Sequence, residues 1–164
     1  MSEHGTVRKP MSSLSAIRTA RADAIASATL TVQTRGEGFF EITRELAAFL
    51  KNANARDGLL LLFLRHTSAS LVIQENADAD VRIDLVTALD RLAPADAPWV
   101  HDTEGPDDMP AHVKSMLDGV SLHVPVADGA LGLGTWQGVY VAEHRRAPHR
   151  REVIVQFVGS CGRE

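Results

Sequence analysis

The sequence has a single cysteine, Cys161, so no disulfide can form within the chain and a secreted disulfide scaffold is excluded. No uncharged apolar run approaches the ~18 residues that a membrane-spanning helix needs, and Met1–Pro10 lacks the apolar segment of a secretory leader. Basic charge is scarce too: 17 Lys and Arg stand against 21 Asp and Glu, a net charge of −4. Without a basic field, neither nucleic acid nor an anionic membrane is an expected partner. Together these absences point to a cytoplasmic protein in a reducing compartment.

What is present suits one globular domain. Hydrophobic residues make up 45% of the chain and charged residues 23%, near the average for folded proteins. A chain of 164 residues buries about 70% of the surface that its unfolded form exposes. Residues 1–24, rich in Ser, Ala and Arg, read as a flexible N-terminal extension, and residues 25–164 as the domain.

The hydrophobic pattern changes period along the chain. Ala28, Leu30 and Val32 alternate with polar residues as in a half-buried strand. Phe39–Ile42 resumes extended structure, and Thr43, a plausible N-cap, opens a helix carrying Leu46, Ala47 and Leu50 on one face. The uninterrupted run Leu59–Leu64 predicts a strand buried on both faces, with His66 just beyond its end. Ser70–Gln74 continues extended. From Asp78, Val81, Leu85, Ala88 and Leu92 recur at helical spacing until Pro94. A proline-rich, acidic loop follows, then a short helix over Met109–Leu117 with Pro110 in its first turn. Alternation over Val120–Val126, an Asp128-Gly129 turn, Trp136–Ala142 and Glu152–Val158 predicts a strand meander. The expected fold class is α+β, with a largely antiparallel sheet and two or three packed helices.

The strongest chemical signal is His101-Asp102-Thr103-Glu104-Gly105-Pro106-Asp107-Asp108-Met109-Pro110-Ala111-His112. Two imidazoles and four carboxylates in twelve residues supply both metal ligands and the acceptors that orient them. An acidic loop is also a common solvated face, so both readings stay open on spacing alone. The glycines at 129, 132 and 134 match neither nucleotide-binding pattern: no Lys-Ser or Lys-Thr follows, and Gln137 stands where glycine is needed. A triad of Ser68 or Ser70 with His66 and Asp84 lacks the Gly-x-Ser-x-Gly elbow. Arg145, Arg146, Arg150 and Arg151 bracket a turn between strands and suit either an anion or a solvated hairpin tip.

Three segments, in this order, closely resemble the YjbQ family: His66-Thr67-Ser68-Ala69 with Gln74-Glu75-Asn76 and Asp84; Glu104-Gly105-Pro106-Asp107-Asp108-Met109-Pro110-Ala111-His112; and Leu131-Gly132-Leu133-Gly134-Thr135-Trp136-Gln137. The resemblance spans residues 25 to 160. It implies a homotrimer of α+β subunits, a polar pocket able to take a divalent metal ion (Mg or Zn), and secondary thiamine-phosphate synthase activity on small phosphorylated metabolites. Carried onto this sequence, it makes His66, Asp84 and His112 the catalytic candidates, and His66, His101, His112, Asp107 and Asp108 the metal candidates. Ser68, Glu75, Asn76, Trp136 and Gln137 become candidates for substrate binding, and Arg150 and Arg151 join them on charge. Two alternatives remain: a metal-dependent hydrolase of a phosphorylated or amide substrate, and a non-catalytic module binding a small anion.

Overall fold

The computed structural model describes residues 14–162. Part of the expected N-terminal extension, residues 1–13, lies outside the described residues. Over residues 14–23 the chain is coil, and Arg18 ties it to the domain through ion pairs with Asp57 and Asp128, each at 3.0 Å.

The elements run β1 (Ala24–Gln33), β2 (Gly38–Glu41), α1 (Thr43–Asn52), β3 (Ala55–Leu64), β4 (Ala69–Glu75), α2 (Ala79–Leu92), α3 (Asp108–Asp118), β5 (Ser121–Ala127), β6 (Ala130–Leu131), β7 (Gln137–Glu143) and β8 (Arg150–Cys161). The strands form two antiparallel sheets, one ordered β1-β8-β3-β5-β6 and the other β2-β7-β4. This is the expected α+β class. Both sheets and α1 share one core, in which Leu60, Leu62 and Phe157 of the larger sheet meet Leu71, Val139 and Val141 of the smaller one and Leu46 and Leu50 of α1.

Several local expectations need correction. The Leu59–Leu64 run is not buried on both faces: Leu60, Leu62 and Leu64 enter the core, while Leu59 is 39% and Phe63 43% exposed. An antiparallel sheet covered on one side imposes this alternation whatever the sequence offers. Thr43 is the first helical residue rather than the cap, because its hydroxyl accepts the Val139 N–H at 2.9 Å and so pins α1 to β7. Asp78 does cap α2, accepting the Asp80 N–H at 2.9 Å, but no residue of that helix is fully buried and Leu92 is exposed. The Asp128-Gly129 turn joins β5 to β6 with φ of 52° and 78°, the pair of positive values that a two-residue hairpin of right-handed twist requires.

β3 and β8 approach closely where Gly58 faces Gly159. A Cβ on Gly159 would lie 2.3 Å from the Asp57 carbonyl oxygen and 2.6 Å from the Phe157 ring, and one on Gly58 would lie 2.3 Å from the Val158 carbonyl oxygen. Gly159→Ala is therefore expected to cost about 1–3 kcal/mol through overpacking. The midpoint of urea unfolding measures this, and a midpoint equal to wild type would refute the close-approach account.

Candidate functional site

The site is built at the N-terminus of α3. Asp108 and His112 stand one turn apart on this helix, so their side chains share a face. Asp108 is 2% exposed, a charge that must be compensated in place. Its Oδ1 is held by the Arg145 guanidinium, and its Oδ2 lies 2.7 Å from His101 Nε2 and 3.3 Å from His112 Nε2. Candidate ligand atoms of His101, Asp108 and His112 all fall within 4.8 Å of one another.

The second nitrogen of His112 determines what the first can do. His112 Nδ1 is 2.8 Å from the Thr67 carbonyl oxygen, which can only accept, so Nδ1 carries the proton. In the neutral ring, Nε2 then directs a lone pair at the Asp108 carboxylate. This tautomer, fixed by a backbone carbonyl, is the arrangement of a metal-ligating histidine.

Asp107 belongs to the frame of the site and not to the cluster itself. Its Oδ2 accepts from Arg145 Nε at 3.1 Å and from the Arg146 N–H at 2.9 Å. Burial pushes its carboxyl upward, but the Arg146 amide and the Arg145 guanidinium outweigh that and hold it below its ordinary value. Asp107 therefore remains ionised and braces the β7–β8 turn.

His66 sits apart from the cluster. Its Nε2 accepts the Glu152 N–H at 2.9 Å, so that lone pair is not free for an ion. Burial, then the Arg151 charge, pulls its pKa below the ordinary histidine value. His66 and His112 nevertheless line one cleft of about 710 Å³, together with Phe63, Arg65, Met116 and Val120.

The remaining candidates are dispersed. Arg151 is buried and bound to both Glu143 oxygens, at 2.7 and 2.6 Å, and donates to Ser68 Oγ at 3.1 Å. Arg150 is exposed and held by Glu152 and by Thr31 Oγ. Asp84 is exposed on α2, and among the described residues it makes no ion pair with any of the three histidines. Glu75, Asn76, Trp136 and Gln137 gather at the far end of β4 from Ser68, about 20 Å away at ~3.3 Å per strand residue. There Glu75 accepts the Ala77 and Asp78 N–H groups, Gln137 accepts the Gly134 N–H, and Asn76 donates to the Gln137 carbonyl.

Sequence reasoning missed two residues. Arg145, one of four arginines whose pattern suits either an anion or a solvated hairpin tip, is spent on Asp107 and Asp108; its charge opposite that acidic pair was the available signal. His144, buried beside Ser70 Oγ at 2.7 Å, had none.

The family profile described as "UPF0047 protein YjbQ-like" matches residues 28–160. The UPF0047 protein sll1880 of Synechocystis is 48% identical over 131 residues, 79% of this chain and 89% of its own. The UPF0047 protein YjbQ of Salmonella typhimurium is 44% identical over 80% of this chain and 96% of its own. Among solved structures, a YjbQ/UPF0047 family protein of Clostridium acetobutylicum superposes with a TM-score of 0.74 at 34% identity, covering 79% of this chain and 98% of that one. The protein TT1486 of Thermus thermophilus gives a TM-score of 0.69 at 41% identity, covering 77% and 97%.

Behind the site, burial and then the Lys114 charge depress the His144 pKa from 6.5 to about 4. The folded state thus refuses a proton that the unfolded chain accepts below its ordinary value, so stability present at neutral pH is lost as pH falls from about 6.5 toward 4. At about 1.4 kcal/mol per unit the loss approaches about 3 kcal/mol. Urea unfolding between pH 7 and 4 should show this slope, and His144→Gln should flatten it; an unchanged slope in that variant would refute the assignment.

Proposed function

This chain belongs to the UPF0047 family of YjbQ-like proteins, and from that premise we propose that His101, Asp108 and His112 hold a divalent cation beside a cleft that takes a small phosphorylated metabolite. The observation that carries the reading is geometric: the Thr67 carbonyl at His112 Nδ1 turns His112 Nε2 to within 3.3 Å of Asp108 Oδ2, and His101 Nε2 lies 2.7 Å from the same oxygen. Donors sharing one ion stand about 3 to 3.5 Å apart, and the ligand atoms of His101, Asp108 and His112 all lie within 4.8 Å of one another. Two imidazoles and one carboxylate favour a Zn-like ion over Mg, which prefers oxygen donors.

Bound there, the ion supplies a Lewis acid beside phosphoryl oxygens and offsets charge on a departing group. The chain's own residues do the rest. Arg145 fixes Asp108, and the Thr67 carbonyl fixes His112. Phe63, Leu64, Met116 and Val120 give the cleft apolar walls that exclude water from a bound ring.

Within this class the specific reading is secondary thiamine-phosphate synthase chemistry. The C–O bond of hydroxymethylpyrimidine diphosphate breaks, the thiazole nitrogen of thiazole phosphate bonds to the freed carbon, and diphosphate leaves. The cleft volume of about 710 Å³ supports a site for small ring substrates. A second reading, metal-dependent hydrolysis, is favoured by a three-donor set that leaves coordination positions open for water.

We further propose a homotrimer. The outer face of the larger sheet shows Ile25, Val158 and Leu59 to solvent, an apolar row across β1, β8 and β3 of the kind that a second copy covers. A cytoplasmic location is part of the same proposal; among the described residues no helix is long and apolar enough to cross a membrane.

Calorimetric titration with Zn²⁺ is expected to show one site per chain, weakened at least tenfold in Asp108→Asn. Incubation with the two thiamine precursors should yield thiamine phosphate, at a rate that His112→Ala lowers at least a hundredfold. Absence of stoichiometric metal binding would sink the metal reading, and metal binding without thiamine phosphate would sink the synthase reading while leaving hydrolysis to be assayed.

A further inference from the structure

One wall of the cleft carries chemistry that the cation cluster does not use. His66 accepts the Glu152 N–H at Nε2, at 2.9 Å, so the proton of the neutral ring sits on Nδ1. Among the described residues Nδ1 has no hydrogen-bond partner, yet no buried side-chain nitrogen or oxygen is left without one. Nδ1 is therefore open to solvent, on a residue that lines the cleft.

Arg65 lines the same cleft beside it. Its nearest carboxylate is Glu152 at 3.8 Å, beyond hydrogen-bond distance, and Glu152 is also held by Arg150. Arg65 itself is exposed, and the more buried arginines near the site are committed: Arg145 to Asp107 and Asp108, and Arg151 to Glu143. Arg65 is thus the cleft-lining guanidinium with charge to offer an anion.

We propose that Arg65 and the Nδ1–H of His66 form an oxyanion subsite on the cleft wall, which binds the anionic head of a substrate whose ring lies against Phe63, Met116 and Val120. This rests on the cleft being the substrate site, as proposed above, but not on the cation. The groups facing His66 favour the neutral ring. Burial and the Arg151 charge, with a smaller contribution from Arg65, outweigh the opposing pull of Glu152 and Glu143. A neutral imidazole N–H beside a guanidinium gives two donors of different strength, a pairing that holds a phosphoryl or carboxylate oxygen without needing proton uptake near neutral pH. His66 is accordingly a substrate-binding donor, neither a metal ligand nor a base that takes up a proton at Nε2.

Phenyl phosphate is the probe, with benzoate, inorganic phosphate and uncharged benzyl alcohol in parallel, all against the full chain stripped of metal with EDTA. Side-chain ¹⁵N spectra are expected to show His66 protonated at Nδ1 and bare at Nε2 from pH 6 to 8. Phenyl phosphate should shift the His66 Nδ1 signal and bind at least tenfold more tightly than inorganic phosphate, with benzyl alcohol not binding. Arg65→Gln, an exposed change, and His66→Phe should each weaken phenyl phosphate at least tenfold while Zn²⁺ affinity stays at its wild-type value. A benzoate affinity close to that of phenyl phosphate assigns the head to carboxylates as well as phosphates, within the same subsite. The proposal is overturned if His66 is protonated at Nε2, if phenyl phosphate perturbs only His101 and His112, or if Arg65→Gln leaves its affinity unchanged. Loss of Zn²⁺ binding with phenyl phosphate binding intact would count against the cation reading alone.

Discussion

Everything at the site depends on a carboxylate that is taken out of water and kept charged. Asp108 opens α3, where the positive end of the helix favours an anion, but the helix alone cannot compensate a side chain exposed by only 2%. Arg145 supplies the rest, and it is itself placed by others. The Arg145 N–H donates to Glu143 Oε1 at 2.9 Å, Glu143 is clamped by Arg151 of β8, and Thr34 Oγ at the end of β1 donates to Glu143 at 2.9 Å. Burial raises the Glu143 carboxyl, yet the Arg151 bond and the Arg145 amide more than reverse it. A continuous run of ion pairs and hydrogen bonds therefore joins the larger sheet, the smaller sheet and α3, and the imidazoles of His101 and His112 hang from its last member.

How much of this is written in local sequence varies with the distance over which each contact acts. Asp108 and His112 are four residues apart in a segment that is helical by pattern, so their meeting is a property of the helix and could be read from it. His101 lies seven residues earlier in a proline-rich loop whose shortness confines it to the same neighbourhood. The hairpin at Asp128-Gly129 follows from turn chemistry of the same local kind, whereas the expected C-terminal meander does not form: β7 joins the smaller sheet and β8 lies between β1 and β3, pairings that no local pattern specifies.

His66 shows where local reading stops. Its place at the end of a strand is legible, but its partner is the amide of Glu152, 86 residues away, and that pairing depends on the register of β3 against β8, in which Leu64 faces Val153. A one-residue change of register would exchange the faces of the strand and free the imidazole. The same applies to Arg151, whose charge looked available for a substrate until the fold brought Glu143 beneath it. Exposed Leu59 and Phe63 reflect a further non-local fact, that among the described residues this face of the larger sheet is left open to solvent.

The residues that carry the family likeness are not thereby members of one site. Glu75, Asn76 and Gln137 spend their polar groups on the backbone of the 75–78 and 134–137 turns, and a Cβ on Gly138 would come within 2.9 Å of Glu41 and 3.0 Å of the Tyr140 ring. These contacts give each of those residues a structural role at the turns and beside β7. The histidine cluster is different in kind. A structural ion pair gains most when both partners are sealed and satisfied, whereas here the sealed partner is Asp108 and the side chains that meet it, His101 and His112, remain 41% and 34% exposed. A rigid buried anchor that presents accessible nitrogen donors to a cleft contributes little that a simpler pair would not give to stability, and it meets the two demands that binding makes together, preorganisation and access.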